Sequence, residues 1–357
     1  MKKSTILLED GTKWSGLSFG SEQSCSGEIV FNTGMVGYPQ SLTDPSYCGQ
    51  ILLCTYPLIG NYGVPNRAQK NNRLVYYEAP KIQTSALLIS HYSHVWDHWN
   101  GEKSLQQWLK EDGIPALTQV DTRGLTKHLR EKGTMLAKII IDEQVPEWYH
   151  PENNNLVAQV SCTEPQTYGT GSKKIVLLDC GAKNQILHHL LSFDCTVHVV
   201  PWDYPLEELE FDGLCISNGP GSPEHCQKTI TQIKGVINRK TVPIFGICMG
   251  HQLLGMAAGG SIIKLKYGHR SQNQPVIEEN TNRCLITAQN HGYAIDANTL
   301  SKGWSNWFRN LNDQTCAGIM HESGLFFSVQ FHPEASPGPE DAQYLFEEFF
   351  AKVGECS

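Results

Sequence analysis

The sequence predicts an α/β protein in two parts: a strand-rich mixed α+β N-terminal domain, then a domain built on an open, mostly parallel sheet. Three observations carry this. From Ile175 onward short apolar runs alternate with helical stretches, the pattern of β-α units assembling into a parallel sheet covered on both faces. Before that point, short extended stretches punctuated by glycine turns dominate. Between Val145 and Ser172 the chain carries Pro146, Pro151, Pro165, three consecutive asparagines and two glycines. The expected domains are therefore 1–150 and 173–357, with a linker at 151–172.

In chain order, the first domain shows helical stretches at 105–110 and 125–131 within otherwise extended sequence. In the second, 175–179, 196–200, 214–217 and 242–247 are short apolar runs suited to buried strands. The segments 182–191, 226–238 and 249–258 carry the longer helical pattern. Gly169-Thr170-Gly171-Ser172-Lys173-Lys174 hints at a phosphate loop but lacks its spacing and a preceding strand, so it is expected as flexible linker.

Lysine and arginine total 28 against 36 aspartates and glutamates, a net charge of −8 with no basic run. A phosphate-neutralising surface, and with it nucleic-acid binding, is not expected. The apolar stretch after Lys3 is too short for a signal peptide. The most apolar long window, 242–260, contains His251, Gln252 and five glycines, which argues against a membrane helix. Twelve cysteines without a Cys-x-x-Cys pair point to reduced thiols and a cytoplasmic location. His91, His94 and His98 have ligand-like spacing, yet mixed with aromatics they read as packing or partner surface, and no metal is expected.

The chemistry concentrates at Cys248. The run Ile244-Phe245-Gly246-Ile247-Cys248-Met249-Gly250-His251-Gln252 reads as a buried strand, a sharp turn and a helix, with the cysteine at the apex. Glycines on both sides keep the neighbouring chain from clashing. The helix N-terminus favours thiolate and can hold a developing oxyanion. An inert small hydrophobe is the bland alternative, but it leaves the Gly-x-Cys-x-Gly context unexplained.

A nucleophile needs a base, and the best candidate is His332 in Phe331-His332-Pro333-Glu334, where a strand-like stretch stops at a proline. Glu334, two residues on, can hold one ring nitrogen while the other faces Cys248. His251 and His291 are rivals without a carboxylate two residues away. Ser217-Asn218-Gly219-Pro220-Gly221-Ser222-Pro223 follows another short strand. In a parallel sheet this turn, the cysteine elbow and His332 can converge at one edge, although the same tetrad also makes ordinary turns.

These three motifs, in this order and spacing, resemble the triad-type class I glutamine amidotransferases. Glu9-Asp10-Gly11, the stretch from Gly27 to Tyr38, Leu42-Thr43-Asp44-Pro45-Ser46-Tyr47, Tyr56-Pro57-Leu58-Ile59-Gly60-Asn61-Tyr62-Gly63, Asp121-Thr122-Arg123 and the stretch from Ile286 to Tyr293 resemble the carbamoyl phosphate synthetase small-subunit family over nearly the full length. The resemblance implies that Cys248 attacks the glutamine side-chain amide, that His332 shuttles the proton and that Glu334 orients His332. It implies oxyanion donors at Met249 and Gly219, and a glutamine grip from Ser46, Gly221, Gln252, Asn290, Gly292 and Tyr293.

The resemblance further implies a large-subunit partner that uses ATP, a divalent metal and bicarbonate to make carbamoyl phosphate, with no cofactor in this chain. Asn32-Thr33-Gly34 and Gly60-Asn61-Tyr62-Gly63 are the candidate docking surface. The competing expectations are the glutaminase of another amidotransferase and a gamma-glutamyl peptidase. One departure stands out: where the family usually has a histidine, two small residues, Asn and His before a proline, this chain has Arg270-Ser271-Gln272-Asn273-Gln274-Pro275, expected as a stiffer loop.

Overall fold

A computed structural model describes residues 1–355, which fall into two compact units. The first comprises Met1–Gln69 and Leu74–Asn154, the second Lys70–Arg73 and Asn155 onward.

The first unit is organised on a closed barrel. Its strands are β1 (Lys3–Leu8), β2 (Lys13–Ser18), β3 (Cys25–Asn32), β4 (Gln50–Cys54), β5 (Ala86–Leu88), β6 (Ala116–Thr118) and β7 (Met135–Ile140), in the order β1-β7-β3-β4-β5-β6-β2. β3, β4, β5 and β6 run parallel, and the other pairings are antiparallel. Every second residue of β1 (Ser4, Ile6 and Leu8) is buried, so one face of the strand fills the core. The helices are α1 (Tyr38–Thr43), α2 (Leu105–Glu111) and α3 (Thr122–Lys132). Ser104 caps α2 by accepting from the Gln107 N–H at 3.1 Å, and Asp121 caps α3 by accepting from Gly124 at 2.8 Å. The Asp121-Thr122-Arg123 motif is thus a helix start, three residues ahead of the helical stretch expected at 125–131.

The segment 151–172 is not a flexible tether. It contains a 3-10 turn at Pro151–Asn153, α4 (Val157–Val160) and β8 (Gln166–Tyr168), an edge strand of the second unit's sheet. Gly169 and Gly171 pack so tightly that a Cβ on Gly171 would lie 2.1 Å from the Cys195 nitrogen. The glycines there mark close approach of two backbones, and composition does not distinguish that from a linker.

The remaining strands are β9 (Lys173–Asp179), β10 (Cys195–Pro201), β11 (Gly213–Ile216), β12 (Ile244–Ile247), β13 (Ser261–Glu278), β14 (Cys284–Asp296), β15 (Trp304–Asn310), β16 (Cys316–His321) and β17 (Phe326–Val329). Sheet order is β8-β10-β9-β11-β12-β17-β16-β15-β13-β14. The run from β10 to β17 is parallel, as the alternating sequence predicts. Beyond β17 the sheet continues through antiparallel strands.

The period of two sorts the parallel strands onto two cores. Ile175 and Leu177 join Phe245, Phe327, Phe346 and Phe349 on one face, with α5 (Asn184–Leu190) and α8 (Tyr344–Glu355). Val176 and Leu178 join Leu214, Ile233 and Leu253 on the other, with α6 (Gln227–Arg239) and α7 (Met249–Ala257). Arg270, Ser271 and Gln274 are not in a loop. They lie in β13, opposite Asn290, Gln289 and Thr287, with a bulge between Ser271 and Gln274.

Candidate active site

The site-bearing residues lie at the carboxyl edge of the parallel strands. Cys248 follows β12 at φ 53° and ψ −99°, a conformation L-residues rarely adopt, and opens α7. Its N–H donates to the Val329 carbonyl at 2.9 Å, which ties the elbow to the end of β17. Gly250 donates to the Ser217 carbonyl at 3.0 Å, which ties it to the end of β11. Both flanking glycines are required by space. A Cβ on Gly246 would sit 2.6 Å from the Gly250 carbonyl oxygen, and one on Gly250 would sit 2.1 Å from the Ile216 oxygen.

His332 stands three residues past the end of β17, its N–H donating to the Ala288 carbonyl at 2.9 Å. Its Nδ1 lies 2.6 Å from Glu334 Oε1, and both side chains are buried. Its Nε2 is buried on the side of the ring that interacts with the Cys248 sulfur. Burial opposes charge on this ring, but the Glu334 carboxylate and the Cys248 sulfur outweigh it and hold the imidazole up at about 10. Burial likewise works against the Glu334 carboxylate. The Lys183 ammonium and His332 overcome it and pull Glu334 down to about 2. The Cys248 thiol donates to the Asn290 carbonyl oxygen at 3.6 Å.

The rival histidines are committed elsewhere. His251 is buried with Nδ1 2.9 Å from Ser328 Oγ, and burial pushes it down to about 3. His291 has Nδ1 2.7 Å from the Tyr293 carbonyl and Nε2 3.0 Å from Gln289 Oε1. Burial first, and His269 second, hold it well below the ordinary range. Neither touches a carboxylate directly. The buried Cys54, Cys226 and Cys316 behave as small hydrophobes, with burial pushing each up to about 12.

Around the elbow, Met249 is the first residue of α7, so its N–H has no intrahelical acceptor. Gly219 follows the end of β11 in a turn where a Cβ would lie 2.2 Å from the Cys180 carbonyl oxygen. Gly221 holds φ 79°. Gln252 donates from Nε2 to the Tyr293 carbonyl at 3.0 Å and to Gln330 Oε1 at 3.1 Å, fastening α7 to β14. Asn290, Gly292 and Tyr293 lie within four successive residues of β14, and the Arg270 Nη2 is 3.4 Å from where a Gly292 Cβ would be. Of these, Asn290 and Gln252 touch Cys248 directly, Asn290 by accepting from its thiol and Gln252 by donating its N–H to the Cys248 carbonyl at 3.2 Å. Ser46 belongs to the first unit, buried in a 3-10 turn with its N–H donating to Asp44 Oδ1 at 2.9 Å.

Sequence reasoning missed Lys183. It is buried, its Nζ is 2.9 Å from Glu334 Oε1 and 2.6 Å from the Ala335 carbonyl, and its N–H donates to Asn218 Oδ1. The only local signal was its place just after β9, at the edge where the other motifs gather. Among the described residues no group of histidine, cysteine or acidic side chains has the arrangement to hold a metal ion. His94 and His98 are in ring contacts with Tyr92, Tyr62 and Trp99. No helix among the described residues is long and apolar enough to cross a membrane.

Two family models match the chain: "Carbamoyl-phosphate synthase small chain, CPSase domain" over 6–139 and "Glutamine amidotransferase class-I" over 176–352. The chain is 45% identical to the carbamoyl phosphate synthase arginine-specific small chain of Phaeosphaeria nodorum, over 99% of this chain and 76% of that one. It is 49% identical to the multifunctional protein CAD of Squalus acanthias over 99% of its own length, and spans 16% of that protein. It is 47% identical to the mitochondrial carbamoyl-phosphate synthase [ammonia] of Mus musculus, again over 99% of its length, and spans 24% of that protein. The chain belongs to the carbamoyl-phosphate synthase small-chain family, and its second unit carries a class I glutamine amidotransferase domain.

Proposed function

We propose that this chain hydrolyses L-glutamine to glutamate and ammonia through a Cys248-His332-Glu334 triad, as the glutaminase component of a carbamoyl phosphate synthase. The observation that carries the reading is the position of Cys248 and the His332–Glu334 pair just beyond the ends of adjacent parallel strands, β12 and β17. The thiol proton already rests on His332 Nε2 when Sγ bonds to the side-chain amide carbon. The proton then passes to the amide nitrogen, the C–N bond breaks and ammonia leaves a glutamyl thioester. Water, deprotonated by His332, attacks the thioester; the C–S bond breaks and glutamate departs. The Met249 and Gly219 N–H groups suit the oxyanion, a contribution of about 3 to 4 kcal/mol per donor in other enzymes. Gly221, Gln252, Asn290, Gly292 and Tyr293 line the substrate grip.

Ammonia is consumed by a large partner that supplies ATP, divalent metal and bicarbonate, because this chain has no nucleotide-binding signature of its own. The docking surface is assigned to three linked loops of the first unit. Tyr62 Oη accepts from the Gly37 and Tyr38 N–H groups at 2.8 and 3.0 Å, and Asp97 donates its N–H to the Asn61 carbonyl at 3.1 Å. These loops expose Met35, Val36 and Leu58, with Val95 and Trp99 at 83% and 82% exposure. The unpaired state of the eleven described cysteines supports a reducing, cytoplasm-like setting. The test is Cys248→Ala in the purified complex: glutamine-dependent carbamoyl phosphate synthesis is lost and ammonia-dependent synthesis survives. Retained glutamine-dependent synthesis would overturn the assignment of the nucleophile.

A further inference from the structure

We propose that Lys183 is a fourth, positioning member of the site, which sets the charge and direction of Glu334 and through it the proton affinity of His332. This rests on the triad reading given above. Glu334 Oε1 receives two partners, His332 Nδ1 at 2.6 Å and Lys183 Nζ at 2.9 Å, while Oε2 is buried with none. A carboxylate loaded on one oxygen from two sides cannot rotate without breaking its ion pair with the buried ammonium or its contact with the imidazole. The second Lys183 bond, 2.6 Å to the Ala335 carbonyl, pins the turn that follows Glu334, where Ala335 and Ser336 both hold positive φ. The backbone N–H of Lys183 donates to Asn218 Oδ1, beside Gly219. One residue thereby links the base-orienting carboxylate to the turn that bears an oxyanion donor.

The chemical case concerns the second half of proton transfer. Facing an unshared carboxylate, a buried imidazolium would hold its proton and be slow to give it to the departing nitrogen. An ammonium on the same oxygen draws off part of that negative charge and opposes the positive ring directly. The ionisable groups that interact with Glu334 and His332 are Lys183 and His189 on the segment containing α5, Cys215 on β11 and Cys248 at the elbow, with Glu340 acting on His189 in turn. Lys183 is the cation in direct contact with the carboxylate apart from His332 itself.

The experiment compares pH profiles of kcat/KM for glutamine hydrolysis by the full chain with its native partner, for wild type, Lys183→Gln and Lys183→Arg. Gln removes the charge and keeps a hydrogen-bond donor. With the cation gone, protonated forms of the Cys248–His332 pair are favoured, so both limbs move to higher pH by about one unit. Below its optimum the variant loses about ten-fold or more in kcat, with KM for glutamine unchanged, because Lys183 is placed to touch Glu334 and not the substrate. Lys183→Arg keeps the limbs in place and loses kcat through altered geometry. A folded Lys183→Gln with wild-type limbs, or a raised KM at unchanged kcat, overturns the proposal. If Lys183→Gln does not fold, Lys183→Arg carries the test, and limbs that move while the charge is retained overturn it. Failure of the triad reading would show separately, as glutamine hydrolysis that persists in Cys248→Ala.

Discussion

Cys248 is held at φ 53° between two glycines that cannot be replaced without collision, so its backbone is strained by design of the turn. Cys248→Gly should accordingly be more stable than Cys248→Ala by about 1 kcal/mol, read by denaturant unfolding, because glycine relieves that strain. The buried His332–Glu334 pair also predicts a pH signature. Raised from 6.5 to about 10, His332 contributes stability that is full below pH 6.5 and is lost as pH rises through 10. Lowered from 4.5 to about 2, Glu334 contributes stability that is full above pH 4.5 and is lost as pH falls through 2. Thermal melts should find both contributions complete between pH 4.5 and 6.5, and His332→Gln should flatten the decline on the alkaline side. A wild-type melting temperature that climbs from pH 7 to 10 would contradict this.

At the scale of elements, the strand-elbow-helix unit depends on contact between backbones. Gly250→Ala forces a methyl into the Ile216 carbonyl and should destabilise the second unit by about 3 kcal/mol or abolish its folding, measured by urea unfolding. The elbow was legible in the sequence because its determinants are adjacent: an apolar tetrad, a glycine on each side of the cysteine, then helix formers. The His332–Glu334 contact was legible for the same reason, two residues apart. Lys183 was not, because its partner lies 151 positions away and a lysine after a strand looks like any surface lysine. The antiparallel arm escaped for another reason. β13 is largely polar and interrupted by a bulge, so it lacks the apolar alternation by which a strand is recognised, and a run read as loop proved to be ladder.

Across the whole molecule, two units have separate cores, and the proposed division of tasks between them gives the last prediction. Val95→Asp with Trp99→Asp, both on exposed loop positions of the first unit, should weaken capture of the large partner ten-fold or more while leaving the melting temperature of the free chain within about 2 °C. Binding measured by titration of the purified partner tests it, and undiminished binding would relocate the surface. The parallel order of β10 to β17 followed from alternating sequence, whereas closure of the first unit, in which β1 pairs with β7, joins segments more than a hundred residues apart and left no local trace. That closure limits how anything can attach. Because the ring of strands has consumed its own backbone donors and acceptors, a visiting chain cannot lengthen it by lying alongside as one more strand. Recognition falls to protruding side chains, so partner choice can be retuned at a few loop positions without disturbing the ladder beneath them.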